Sequence, residues 1–286
     1  MNIHQKRTCP RLAVVVGLII LVVIGIGLFI HIRSSLTVNN STPKAADEPV
    51  ETHKETKPKT VQVNLPGADP IDAIVEDYND SDSLWVVVNK DHPLSEQEYR
   101  PSDLVLLKDD SRTDKSQDER SLREIAVSDY QAMMLDAKKL GYDLMIGSGF
   151  RSYNLQKLYY TNYVTKSGET AANKYSAKPG YSEHQTGLTA DVAPRSMECY
   201  ISLCFGDMAA GKWIADNSYK YGFIVRYPAD KTEITKYQYE PWHLRYVGIP
   251  LAKALHQSNL TLDEAYPYLQ AARDELIKSG KITVQQ

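Results

Sequence analysis

Cysteine and phenylalanine are scarce in this chain, and positive charge is not in excess. Its 286 residues hold three cysteines, Cys9, Cys199 and Cys204. The pair Cys199 and Cys204 has no further thiol near it, so a cysteine-built metal site is excluded for want of ligands. Lysine and arginine total 33 against 36 acidic residues, a net charge of −3. That balance leaves no basic footprint, and nucleic acid is excluded as a partner. Four phenylalanines stand against nineteen tyrosines; amphipathic rings suit half-buried strands and the wall of a polar cleft. The length allows one sizeable core with appendages.

One long apolar run is present, the nineteen residues Leu12 to Ile30. At helical rise it spans roughly 28 Å, close to a hydrocarbon core of about 30 Å. Two absences decide between its readings. No small-residue cleavage site of the A-x-A kind follows it, which argues against a secretory leader. No cysteine follows a short apolar run, which removes a lipoprotein signal. The expectation is an uncleaved transmembrane anchor over 12–30. Lys6, Arg7 and Arg11 precede it, so residues 1–11 are expected in the cytoplasm and the remainder outside. Residues 31–68 are rich in Ser, Thr, Lys, Glu and Pro without an apolar period, and read as a disordered tether. His53 lies there and is expected to be solvated.

A folded domain is expected over 69–280. Ile71 to Tyr78 has a short helical pattern, and Leu84 to Asn89 (LWVVVN) reads as a β-branched strand. His92 before Pro93 is placed in a turn away from any metal. Ser121 to Leu140 shows helical spacing, opened by a Ser121–Glu124 capping box and stopped at Gly141. Tyr142 to Gly147 is expected as a strand that turns through S-G-F-R-S into a helix over Tyr153 to Lys166. Later segments predict a helix at Gly206–Tyr221, a strand at Gly222–Pro228 and closing helices at Pro250–His256 and Thr261–Ser279.

The chemistry concentrates in S-E-H-Q-T-G-L-T-A-D, Ser182 to Asp191, and E-P-W-H, Glu240 to His243. Together they supply two imidazoles and two carboxylates. Two histidines and one carboxylate fill three corners around Zn²⁺ and leave the fourth to water. The other carboxylate is then free to move a proton. Strand parity would put His184 and Asp191 on opposite faces of one straight strand. Gly187 resolves this by placing His184 in the turn before the strand. Pro241 likewise keeps Glu240 in a loop, with His243 starting the next strand. Arg151, leaving a glycine-containing turn, offers a guanidinium able to clamp a carboxylate in bidentate fashion. Outside the membrane, Cys199 and Cys204 are expected to form a disulfide, given a turn that brings their α-carbons together.

The stretches N-K-D-H-P-L, S-G-F-R-S-Y-N-L-Q, G-Y-S-E-H-Q-T-G-L-T-A-D-V, Y-G-F-I-V-R-Y-P and E-P-W-H-L-R-Y-V-G resemble, in order, the VanY-type zinc D,D-carboxypeptidases. That family includes L,D-carboxypeptidases that trim bacterial cell-wall peptides. The resemblance implies an α+β fold, a small antiparallel sheet with flanking helices, related to the hedgehog domain; to it the apolar run adds one N-terminal transmembrane helix. It implies His184, Asp191 and His243 as zinc ligands and Glu240 as catalytic base. It also implies that Arg151, with Gln156 and Ser182 nearby, receives the substrate's terminal carboxylate.

The implied activity is removal of a C-terminal D-amino acid, D-Ala, from peptidoglycan stem peptides, with D,D- or L,D-specificity. The partners implied are that stem peptide and, through the anchor, the membrane. The expected location is the cell membrane of a Gram-positive bacterium, single-pass, with the catalytic domain outside. Non-haem Fe(II) oxygenases use the same donor types, but need reduced iron, which is scarce outside the membrane. The alternative is an inactive cell-wall-binding module with a structural zinc. Structural zinc usually takes four protein ligands, and only three plus a spare carboxylate are found.

Overall fold

The computed structural model describes residues 60–108 and 112–283. β1 (Thr60–Val63) pairs antiparallel with β2 (Ile71–Ile74), and β3 (Leu104–Leu106) with β4 (Ser121–Arg123). Then follow α1 (Glu124–Lys139), β5 (Leu144–Ser148), α2 (Tyr153–Ser167), α3 (Glu169–Tyr175), β6 (Thr189–Pro194), α4 (Ala209–Asn217), β7 (Phe223–Val225), α5 (Thr232–Thr235), β8 (His243–Tyr246), α6 (Ile249–Ser258) and α7 (Leu262–Lys278). The central sheet is four-stranded and antiparallel, in the order β5-β6-β8-β7.

Period-two alternation gives this sheet two different faces. Leu144, Ile146, Ala190, Val192, Leu244 and Tyr246 face one way and pack on Ala126, Tyr130, Met133, Met134 and Ala137 of α1. Asp191 and His243 alternate with those residues and point to the other side. β6 is buried along its whole length, so the polar residues on that second face must find partners within the protein. A second core joins Val61, Val63 and Ile71 of the first hairpin to Leu251, Leu255, Leu269 and Leu276 of α6 and α7.

Several expectations need correction. Ile71 to Tyr78 does not form a helix: Ile71 and Ala73 are buried and Asp72 exposed, the alternation of a strand, and β1 supplies its partner. β1 lies inside the stretch expected as tether, so folded structure begins before Asp69. The β-branched run at Leu84 is not a strand, because the carbonyls of Leu84 and Val86 accept hydrogen bonds from the Arg245 guanidinium instead of a ladder (3.0 and 2.9 Å). The helix expected from Ser121 starts at Glu124, since Ser121–Arg123 pair with β3. The Ser121 hydroxyl donates to Gln117 O, so the capping box is not made there. A capping box does form at Thr261 and Glu264, opening α7.

The transmembrane helix is withdrawn from the fold, and with it the membrane partner and the single-pass location. Among the described residues no helix is long and apolar enough to cross a membrane. Residues 12–30 themselves, like Cys9 and His53, lie outside the described residues. The architecture that remains is the small antiparallel sheet with flanking helices.

Candidate active site

The register of β6 on β8 sets Asp191 directly opposite His243. His184 reaches the same point from a 3₁₀ turn, Glu183–Thr186, which ends at Gly187 with φ +70°. A β-carbon at Gly187 would also stand 2.9 Å from the Arg123 side chain, so both conformation and space demand glycine there. Ligand atoms of His184, Asp191 and His243 all lie within 4.8 Å of one another, and all three residues are buried. His184 Nε2 is 3.3 Å from Asp191 Oδ2, and His243 Nδ1 is 3.4 Å from Asp191 Oδ1.

The tautomers follow from the outer partners. Gly149 O can only accept, so His184 Nδ1–H donates to it at 2.8 Å and the Nε2 lone pair faces the cluster. Gly149 holds that carbonyl in place by close approach, since a β-carbon on it would fall 2.3 Å from Ser121 O. Glu183 Oε2 lies 3.4 Å from His243 Nε2, which directs the Nδ1 lone pair inward. Bonds of this kind to the far ring nitrogen are what orient metal-ligating histidines.

Glu183 is the functional residue that motif reading passes over. It is 2% exposed. Its Oε1 accepts from Arg226 Nε at 2.7 Å and from Arg245 at 3.1 Å. Both guanidinium groups are fully buried. Arg226 is also paired with Asp263 at the start of α7. Burial alone would raise the Glu183 carboxyl, but Arg226 and Arg245 outweigh it and hold it well below the usual carboxylate range. The one signal available in the sequence is an acid directly before His184; its partners lie 43 and 62 positions away.

These residues fit zinc. The three donors are two imidazole nitrogens and a carboxylate, a set typical of an open zinc site. Asp191 Oδ1 is buried and makes no hydrogen bond, which leaves an acceptor available to a cation. Burial works against charge on His243, yet Asp191 and Glu183 outweigh it and lift the imidazole to about 9. A metal ion at the point where the three donors converge would take the place of that proton and leave the ring neutral. Burial, followed by Arg151, lowers His184, which keeps its ring neutral and able to ligate.

Glu240 stands beside this cluster, with Oε2 3.4 Å from His243 Nδ1. It precedes β8 in a loop, as Pro241 requires. Burial pushes its carboxyl up to about 7; a divalent ion beside it would act in the opposite direction. Arg151 lies on the other side, 4.0 Å from Asp191 Oδ2. Its amino groups donate to Gln156 Oε1 (2.9 Å) and Ser148 Oγ (3.1 Å), while its Nε is buried without a partner. Gln156 is fixed in turn by donating to Ala177 O at 2.6 Å. Ser182 lines the same cleft, whose volume is about 520 Å³.

Cys199 and Cys204 are joined by a disulfide, with α-carbons 5.5 Å apart. His92 and His256 do not join the cluster: they pack on the rings of Tyr266 and Tyr219, respectively.

Comparison with known proteins agrees with this geometry. Residues 119–249 match the VanY family model, described as D-alanyl-D-alanine carboxypeptidase. The Bacillus subtilis (strain 168) protein YodJ is 44% identical over 192 residues, covering 67% of this chain and 70% of that one. The bifunctional D-Ala-D-Ala dipeptidase and D-Ala-D-Ala carboxypeptidase VanXYC of Enterococcus gallinarum is 34% identical over 64% of this chain and 93% of its own. Among solved structures, the LdcB LD-carboxypeptidase superposes with a TM-score of 0.62 at 44% identity, covering 66% of this chain and 87% of that chain. The converging donors, their orienting partners and these matches lead to one conclusion: the chain belongs to the VanY family of zinc-dependent carboxypeptidases, together with its L,D-carboxypeptidase relatives.

Proposed function

We propose that this zinc carboxypeptidase removes a terminal D-alanine from peptidoglycan stem peptides, with Glu240 as proton carrier and Arg151 as the anchor of the chain end. When bound, zinc supplies a Lewis acid that polarises the scissile carbonyl and acidifies a water. The rest is done by side chains. Glu240 accepts the proton released as water adds to the carbonyl, then delivers it to the departing amine. Burial raises that carboxyl and bound zinc would lower it again; the balance of the two sets the range over which it can both take and give the proton.

The observation that carries exopeptidase action is the unpartnered, buried Nε of Arg151 beside the metal cluster. An unsatisfied buried donor on a cation is costly unless a ligand completes it, and a carboxylate is the complementary group. A main-chain carboxylate within one residue of the scissile bond exists only at the end of a peptide. Gln156 and Ser148 keep the guanidinium from turning away, and Ser182 contributes to the wall beside it.

The test is release of free D-alanine from two synthetic peptides, one ending in D-Ala-D-Ala and one in L-Lys-D-Ala, with and without a chelator. Chelator-sensitive release from at least one of them is expected, and restoration by added zinc. No release from either by the zinc-loaded protein would overturn the proposal.

A further inference from the structure

The segment between β6 and α4 enters the site in a way its cysteines alone do not suggest. Tyr200 and Ile201, inside the Cys199–Cys204 ring, line the same cleft as Arg151, Asp191 and Glu240. Three non-glycine residues in this segment hold left-handed backbone: Met197 (φ 68°), Cys199 (φ 51°) and Ile201 (φ 44°). That conformation is costly for any L-residue and most costly for a β-branched one. It persists only where the surroundings over-determine it, and here a covalent ring encloses two of the three residues.

The ring is also tied to the strand that braces Arg151. The Tyr200 hydroxyl donates to Gly147 O at 3.0 Å. A β-carbon on Gly147 would lie 3.0 Å from the tyrosine ring and 3.2 Å from its oxygen, so glycine leaves the space that Tyr200 fills. The next residue, Ser148, accepts a hydrogen bond from Arg151. The Arg112 guanidinium lies over the Tyr200 ring, 4.8 Å from its centre. Cys199 and Ile201 pack against the main core, so this is a fixed wall and not a surface appendage.

We propose that the Cys199–Cys204 disulfide is a positioning element for specificity: it holds Tyr200 and Ile201 as the wall of the pocket that receives the terminal residue, and restricts that residue to a small side chain such as the methyl of D-alanine. This rests on Arg151 anchoring the chain end, as proposed above, because that anchor puts the terminal side chain beside β5.

The test compares kcat/KM for two peptides that differ only at the last residue, D-alanine or D-leucine, using the zinc-loaded chain. Relative to the parent, the C199S/C204S double variant and, separately, I201A are expected to lose about 10-fold of the preference for D-alanine, within the range one or more methylenes are worth in a pocket. Most of the change should come from KM. Zinc content should not change. Y200F, which keeps the ring, should retain the preference better than Y200A.

A disulfide that only stabilises the fold would lower the melting temperature and leave the preference ratio as it was. An unchanged ratio in I201A and Y200A, both of which keep the disulfide, overturns the proposal even if the double variant fails to fold. A parent protein that releases no terminal residue from either peptide fails at the earlier step, the carboxypeptidase reading itself.

Discussion

Replacing Glu183 by glutamine changes one atom, and the structure says why that should damage both the fold and the metal site. In the native protein Glu183 Oε1 receives two guanidinium donors and Oε2 faces His243 Nε2. Glutamine has one acceptor end and one donor end, so it can satisfy only one of these demands. With its oxygen toward the arginines, its amide nitrogen faces His243 Nε2. The ring must then accept at Nε2 and carry its proton at Nδ1, the atom needed for zinc. With the oxygen toward His243, the amide hydrogens face two buried guanidinium groups, donor against donor.

In either orientation Arg226 and Arg245 lose a carboxylate in a region from which water is excluded. Breaking a buried ion pair by removing one partner costs about 3–5 kcal/mol. For a domain of this size that corresponds to a fall in Tm of roughly 6–20 °C. Losing the orienting bond to a ligating histidine typically costs about 10–100-fold in metal affinity. The assays are thermal unfolding with and without zinc, and competition for zinc against a chelator of known affinity. E183Q that melts within a degree or two of the parent and holds zinc as tightly would refute the assignment of Glu183 as the group that orients His243.

Three other perturbations separate the remaining roles. E240Q should keep zinc and lose about 10²–10⁴-fold in kcat, the usual worth of a positioned proton carrier; near-parental turnover would remove Glu240 from the reaction. R151A should raise KM and lower kcat/KM by about 10–100-fold, the range for hydrogen bonds to a charged group, with zinc content unchanged by metal analysis. D263N tests the outer pair by pH. Burial would raise the Asp263 carboxyl, but Arg226 outweighs it and lowers it below its ordinary value. A depressed folded value stabilises above the unfolded value of about 3.9 and is lost as pH falls through the folded one. The parent should therefore exceed D263N in Tm at pH 7, with the gap narrowing only as pH falls below about 4; a gap that stays constant through that fall would count against the linkage.

How far the sequence could be read depended on whether the deciding physics was local. His184 and Asp191 lie seven positions apart, an odd offset, and Gly187 between them already implied a turn followed by a strand; the αL glycine and the 3₁₀ turn at Glu183–Thr186 carry that reading. Pro241 acted likewise, keeping Glu240 off the strand that His243 begins. Where a distant partner decided the outcome, local pattern misled. Val86 and Val88 have strand propensity, but Arg245 takes the carbonyls of Leu84 and Val86, so no ladder forms there. Ser121 and Glu124 spell a capping box, but strand pairing with Leu104–Leu106 claims Ser121 first.

The same distinction explains why the donors of the site were legible and their support was not. A ligand must be histidine or carboxylate, so its identity restricts where it can be found in a chain with few histidines. The residue that orients a ligand has no such signature: Glu183, Arg226 and Arg245 would each pass as ordinary surface charges by composition, and their burial at 2%, 0% and 0% exposure is the only thing that marks them. Burying two guanidinium groups and a carboxylate is expensive in isolation. That cost is offset only if the cluster is complete, which requires the 3₁₀ turn, β8, the end of β7 and the start of α7 to arrive together. The metal site and the packing of α7 are thus coupled through Arg226, and a substitution at the N-terminus of that helix should be felt at His243 without touching it.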